Sequence, residues 1–99
     1  MARRGVRNRG ALRNRGGSVL ISRSAFCTML GVSERQLAVW EHEELLVPAR
    51  VLQSAGREQP FYDNAALERA RLIRTLEQEL EVNLPGIGII LHLLDQLGR

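Results

Sequence analysis

Ile21-Ser22-Arg23-Ser24-Ala25-Phe26-Cys27-Thr28-Met29-Leu30-Gly31-Val32-Ser33-Glu34-Arg35-Gln36-Leu37-Ala38-Val39-Trp40-Glu41 is the stretch that decides the fold. Ser22 and Ser24 each suit the cap of a helix continuing to Leu30, where Gly31 supplies the left-handed stop. Gly31-Val32-Ser33 then forms a tight turn. Ser33 is an N-cap with Gln36 three residues on, the spacing of a capping box. The second helix runs to about Glu43 and places Leu37 and Trp40 on one face. Two short helices joined by a Gly-containing turn make a helix-turn-helix.

Ahead of the first helix, Val19-Leu20-Ile21 is a short β-branched lead-in. After the second helix, Leu45 to Leu52 reads as a loop entering an extended segment. Gln53 to Gln59 is a polar turn around Gly56, and Pro60-Phe61-Tyr62 returns, which makes a β-hairpin wing. Asp63 or Asn64 caps a third helix reaching about Leu80. Ala66, Ala70, Ile73, Leu76 and Leu80 mark its core stripe. Val82-Asn83-Leu84 breaks that helix, and Pro85 suits the first position of a fourth, ending near Gln96. The fourth helix is apolar on two sides, with Ile87, Ile90, Leu91 and Leu94 on one and Ile89 and Leu93 nearby. It is therefore either sandwiched in the core or offered to a partner. The fold class is mainly α: a winged helix-turn-helix with a small β-hairpin wing and two further C-terminal helices.

Charge divides the chain of 99 residues. Six of its fourteen basic residues, all arginine, lie in the first seventeen positions: Arg3, Arg4, Arg7, Arg9, Arg13 and Arg15. The other eight meet eleven acids, so the net charge of +3 hides a body of about −3. Residues 1–18, rich in Gly, Arg and Asn, lack apolar periodicity and are expected to be a disordered arm. Residues 19–98 form one domain. The arm reads either as a phosphate-binding tail or as a plain solvated extension.

The remaining composition excludes several classes. No apolar run approaches the roughly 20 residues of a membrane span, and the arm has no apolar core of a secretory signal. One cysteine, Cys27, forms no internal disulfide, which fits a cytoplasmic setting. His42 and His92 lie fifty residues apart with no zinc-ligand spacing, and no Gly-rich phosphate loop opens a helix. No enzymatic site, metal or cofactor is expected.

The quoted run, the exit Leu45-Leu46-Val47-Pro48-Ala49-Arg50 and the wing ending in an aromatic resemble a MerR-type winged helix-turn-helix. The second half narrows the likeness. Tyr62-Asp63-Asn64-Ala65-Ala66, Leu76, Glu79-Leu80, Asn83-Leu84-Pro85-Gly86-Ile87 and Leu91-His92-Leu93-Leu94-Asp95-Gln96-Leu97 resemble the CbpM family of chaperone modulators. HspR-type heat-shock repressors are more distantly similar. The first resemblance implies binding to the J domain of a DnaJ- or CbpA-like co-chaperone, restraining its action on DnaK. The second implies a DNA-binding transcriptional regulator.

The residues distinguish the two. Phosphate neutralisation supplies much of DNA affinity, so a recognition helix wants cationic groups. The resemblance to MerR readers places Arg and Tyr where this chain has Ala38 and Val39. Glu34, Glu41, Glu43 and Glu44 crowd this helix and its exit, with Arg35 the one cation in the helix and Arg57 alone on the wing. An acidic helix-turn-helix suits the Lys/Arg-rich second helix that J domains present as a family. The expected partner face is Glu34, Val39, Trp40, Glu41, His42, Glu43 and Glu44, with the Leu45-Leu46 pair adding to its apolar centre. Nucleic-acid contacts, if used, fall to the arm arginines with Arg35 and Arg57. Ile89, Leu93 and Asp95 form a second candidate face, and the fourth helix is a candidate homodimer surface.

Overall fold

The computed structural model describes residues 11–13 and 19–98. Its elements run β1 (Ala11–Arg13), β2 (Val19–Ser22), α1 (Arg23–Leu30), α2 (Glu34–His42), β3 (Arg50–Ser54), β4 (Arg57–Tyr62), α3 (Asn64–Arg74) and α4 (Leu84–Leu97). The strands form one antiparallel sheet in the order β1-β2-β4-β3. Around it, α1 and α2 make the helix-turn-helix, while α3 and α4 add Ala66, Ala70, Ile73, Ile87 and Leu91 to the same core.

The helix ends follow their capping residues. Ser22 Oγ accepts from the Ala25 amide at 3.3 Å, and Ser33 Oγ from the Gln36 amide at 3.0 Å. Of the two serines that suit the first cap, Ser22 fills it. Gly31 ends α1 at φ +73°, a conformation open to glycine because it has no Cβ. Asp63 caps α3 through the Ala66 amide at 2.9 Å. Phe26, Leu37, Trp40, Tyr62, Ile73 and Ile87 are fully buried at the centre. There the Phe26 and Tyr62 rings stack with centroids 4.2 Å apart.

Four expectations need correction. Within the arm, Ala11–Arg13 is not free but pairs with β2. A β2 flanked by β4 alone would leave its other edge unbonded, and these three residues fill it. The wing turn is tighter than Gln53 to Gln59. Ser54 pairs with Arg57, leaving only Ala55 and Gly56 in the loop, both at positive φ. Such a two-residue turn follows the natural twist of the strands, although an alanine there costs about 1 kcal/mol.

The third correction concerns Leu80, which is exposed rather than part of the core stripe. α3 continues into a π turn over Thr75–Glu79, in which the Leu80 amide bonds Thr75 O, five residues back, at 3.1 Å. The wider turn carries Leu80 off the face shared by Ala66, Ala70, Ile73 and Leu76. Finally, Pro85 is the second helical residue of α4, because Asn83 is the cap and accepts from the Gly86 amide at 2.8 Å.

Gly86 sits where this cap is crowded. A Cβ there would stand 2.9 Å from Val82 Cγ1 and 3.0 Å from Asn83 Oδ1. Gly86→Leu should therefore lose roughly 1–3 kcal/mol through overpacking. Pro85→Ala should lose about 1 kcal/mol or less, mainly by freeing the unfolded chain. Thermal denaturation of the two variants checks this. Equal, small shifts would remove the packing role assigned to Gly86.

Candidate functional site

The exit of α2 shapes the site. The Leu45 amide bonds Trp40 O at 2.9 Å and the Glu44 amide bonds Glu41 O at 3.0 Å. Glu44 takes φ +61°, a left-handed closure normally given to glycine. This turn swings Leu45 and Leu46 into the core and leaves Glu43 and Glu44 in solvent. Along α2, Glu34, Arg35, Ala38, Val39 and His42 are also exposed, while Leu37 and Trp40 face inward. The outer surface is therefore a small apolar patch at Ala38 and Val39, one arginine, one histidine and three solvated carboxylates.

Trp40 and Glu41 stand apart from the surface group expected of them. Trp40 is fully buried, and its Nε1 donates to Glu77 Oε1 at 3.0 Å. Gln36 Nε2 donates to the same oxygen at 2.7 Å. The π turn thus presents Glu77 to α2, where it satisfies a buried indole N–H. Leu45 and Leu46 are also core residues rather than an exposed apolar centre. Helical spacing explains the placement of Leu37, Trp40 and Glu41, which form one arc, and the chain turns inward immediately after Glu44.

Glu41 belongs to a half-buried network. Arg23 Nη1 donates to Glu41 Oε1 at 2.7 Å and to the Tyr62 hydroxyl oxygen at 2.9 Å. The Tyr62 hydroxyl in turn donates to Glu41 Oε2. Arg23 also reaches Glu34 Oε1 at 3.7 Å. Burial alone would lower the Arg23 pKa, but its bond to Glu41 and the charge of its partners raise it overall. Burial pushes the Tyr62 phenol up, and the hydrogen bond to Glu41 pushes it further. Arg23, Tyr62 and Glu77 carried no local sequence signal as a set, since they lie far apart in the chain.

Tyr62 is the one tyrosine of the chain, so its titration can be read directly. Its folded pKa lies above the unfolded value of about 10. The proton-linked stability is therefore complete below about pH 10 and is lost as pH rises toward the folded pKa. Absorbance near 295 nm should show tyrosinate forming well above pH 10 in the native protein, with melting temperature falling over the same range. Titration at the free-tyrosine value would contradict the network.

Arg57 is exposed at the wing turn, and Arg13 lies in β1. Arg3, Arg4, Arg7, Arg9 and Arg15 lie outside the described residues. Ile89 and Leu93 are exposed on α4, 62% and 52% respectively, and Leu97 continues their row. Asp95 instead holds α4 to α3, accepting from Arg69 Nη1 at 2.9 Å and Nη2 at 3.3 Å. Arg69 Nε also donates to Leu45 O at 2.8 Å, so one guanidinium ties the α2 exit to both C-terminal helices. An open cleft of about 480 Å³ lies beside this tie, lined by Glu44, Val47, Pro48, Asp63, Arg69 and Asp95 among others. Among the described residues no three His, Cys, Asp or Glu side chains converge as metal ligands, and no helix is long and apolar enough to cross a membrane.

Comparison with known proteins places this geometry. Residues 21–94 match the profile of the MerR HTH family regulatory proteins. The chaperone modulatory protein CbpM of Coxiella burnetii, in strains Dugway 5J108-111 and RSA 331, is 31% identical over 84 residues. That alignment covers 80% of this chain and 76% of the relative. No solved structure gives a significant match. With its capped helix-turn-helix, its wing and its Asn83-Pro85-Gly86 corner, the chain belongs to the MerR helix-turn-helix family and, within it, to the CbpM type.

Proposed function

We propose that this protein is a non-catalytic chaperone modulator that binds the J domain of a DnaJ- or CbpA-like co-chaperone and restrains its action on DnaK. One observation carries the reading: the exposed face of the recognition helix is acidic where a DNA reader needs cations. Glu34, Glu43 and Glu44 stand in solvent around Val39 and His42, with Arg35 the one cation within α2 and Arg23 reaching Glu34 at 3.7 Å. Three carboxylates against a polyanion repel it, whereas the same charges steer and orient a Lys/Arg-rich helix. Val39, 40% exposed, supplies the apolar contact at the centre of that face. The cleft beside Glu44 adjoins this surface, lined by apolar side chains together with Glu44, Asp63 and the paired Arg69 and Asp95.

Binding is tested by mixing the purified chain with the cognate J domain in one arm and with its upstream DNA in the other. The expected result is a 1:1 association with the J domain and a fall in J-stimulated DnaK ATPase. A tight, sequence-specific DNA shift without J-domain binding would replace this reading by the repressor one. The row Ile89, Leu93 and Leu97 on α4 is a separate proposed surface, suited to a homodimer and checked by sedimentation.

A further inference from the structure

The cleft beside the α2 exit joins apolar lining to carboxylates. Val47, Pro48 and Ala49 contribute from the loop after α2, and Ala65 adds to them from α3. Four charged residues share the cleft: Glu44, Asp63, Arg69 and Asp95. Three carboxylates against one guanidinium leave its lining with a net charge of −2. Arg69 is already committed, its Nη1 and Nη2 donating to Asp95 and its Nε to Leu45 O. The surplus negative charge therefore belongs to Glu44 and Asp63. Asp63 uses Oδ1 to cap α3, and Glu44 has no ion pair or hydrogen bond through its side chain among the described residues. Glu44 also sits at φ +61°, where glycine is less strained, so the turn itself gives no reason for a carboxylate at this position. Apolar lining that ends at carboxylates suits a long aliphatic stem carrying a cation, the make-up of lysine and arginine. An anion is repelled there, and a purely apolar occupant desolvates both carboxylates without pairing either.

We propose that this cleft is a pocket for one lysine or arginine side chain of the partner's cationic helix, with the stem against Val47, Pro48 and Ala65 and the head at Glu44 and Asp63. The pocket rests on the reading of the α2 exit as part of the partner face. To the diffuse charge of Glu34 and Glu43 it adds an anchored site, where one side chain is held by packing and by charge together. Charge-assisted bonds to two carboxylates, with the stem covering apolar surface, fix the register of the partner helix along α2.

Two measurements on the full chain test this. In the first, J-domain affinity is compared for wild type, Asp63→Asn and Ala65→Phe. Asp63→Asn removes a charge but keeps an acceptor that caps α3, and Ala65→Phe fills the cleft from an exposed position without altering any charge. Affinity should fall about three- to tenfold in each, with circular dichroism unchanged. Wild-type affinity in either variant overturns the pocket; if Glu43→Lys/Glu44→Lys is still impaired, the partner face stands without it. The second measurement needs no J domain. N-acetyl-arginine methylamide, which offers the cationic side chain alone, is titrated into the chain and followed by methyl NMR. Saturable shifts confined to Val47, Ala49 and Ala65, and weakened in Asp63→Asn, support the pocket. No shift at these methyls overturns it, as do equal shifts from the uncharged norleucine analogue, which would make the cleft an apolar subsite. Should wild type not bind the J domain, the partner reading fails, and the titration still decides whether the cleft takes a cationic side chain.

Discussion

Trp40→Ala lowers the melting temperature by well over 10 °C. The indole is fully buried among the core side chains, and such truncations cost about 3–5 kcal/mol. A domain of this size has a total stability of roughly 4–12 kcal/mol, so the loss is a large share of it. Trp40→Phe keeps most of the volume but removes the donor to Glu77, and should lose about 1–2 kcal/mol. Thermal melts by circular dichroism separate the two contributions. A change of only two or three degrees in Trp40→Ala would return this residue to the surface, as an apolar anchor for the partner.

Glu41→Ala destabilises the domain by about 2–3 kcal/mol, whereas Glu43→Ala and Glu44→Ala each stay within about 0.5 kcal/mol. The three carboxylates are nearly adjacent in sequence and chemically alike; only their surroundings differ. Glu41 accepts from Arg23 and Tyr62 in a half-buried setting, and its loss leaves a guanidinium and a phenol without their main partner. Glu43 and Glu44 are exposed, where single charges contribute little. For a domain of this size the Glu41 effect is roughly 10 °C or more in melting temperature. Similar small shifts for all three would place Glu41 on the same free surface as its neighbours. The distinction matters for any functional variant, because charge reversal at Glu41 confounds folding with binding while reversal at Glu43 and Glu44 does not.

The parts of the fold written in local chemistry were legible in the sequence. Ser33 with Gln36, the Gly31 stop, the Asp63 cap and the Asn83-Leu84-Pro85-Gly86 corner each depend on residues within a turn of one another. The missed parts depend on distance. Glu41 reads like any surface glutamate until Arg23, eighteen residues back, and Tyr62, twenty-one ahead, are brought to it. Its spacing from Leu37 was the one available hint, placing it at the edge of the buried arc. The π turn at Thr75–Glu79 left no mark on the apolar pattern, because Leu80 kept the period that the backbone then broke. Ala11–Arg13 is a strand only because β2 offers it an edge. Of the seven residues expected on the partner face, Glu34, Val39, His42, Glu43 and Glu44 are exposed together, while Trp40 is interior and Glu41 half-buried.

In the proposed function, the solvated carboxylates Glu43 and Glu44 at the end of α2 hold a cationic J-domain helix. The most direct test of this contact is the affinity of the J domain for wild type and for Glu43→Lys/Glu44→Lys, measured by calorimetry across a salt series. The folded state should be unchanged by circular dichroism, since both side chains are exposed. At least a tenfold loss of affinity is expected at low salt, carried mainly by the association rate, with convergence of the two proteins at high salt. Equal affinity for the J domain across the whole salt range would contradict it.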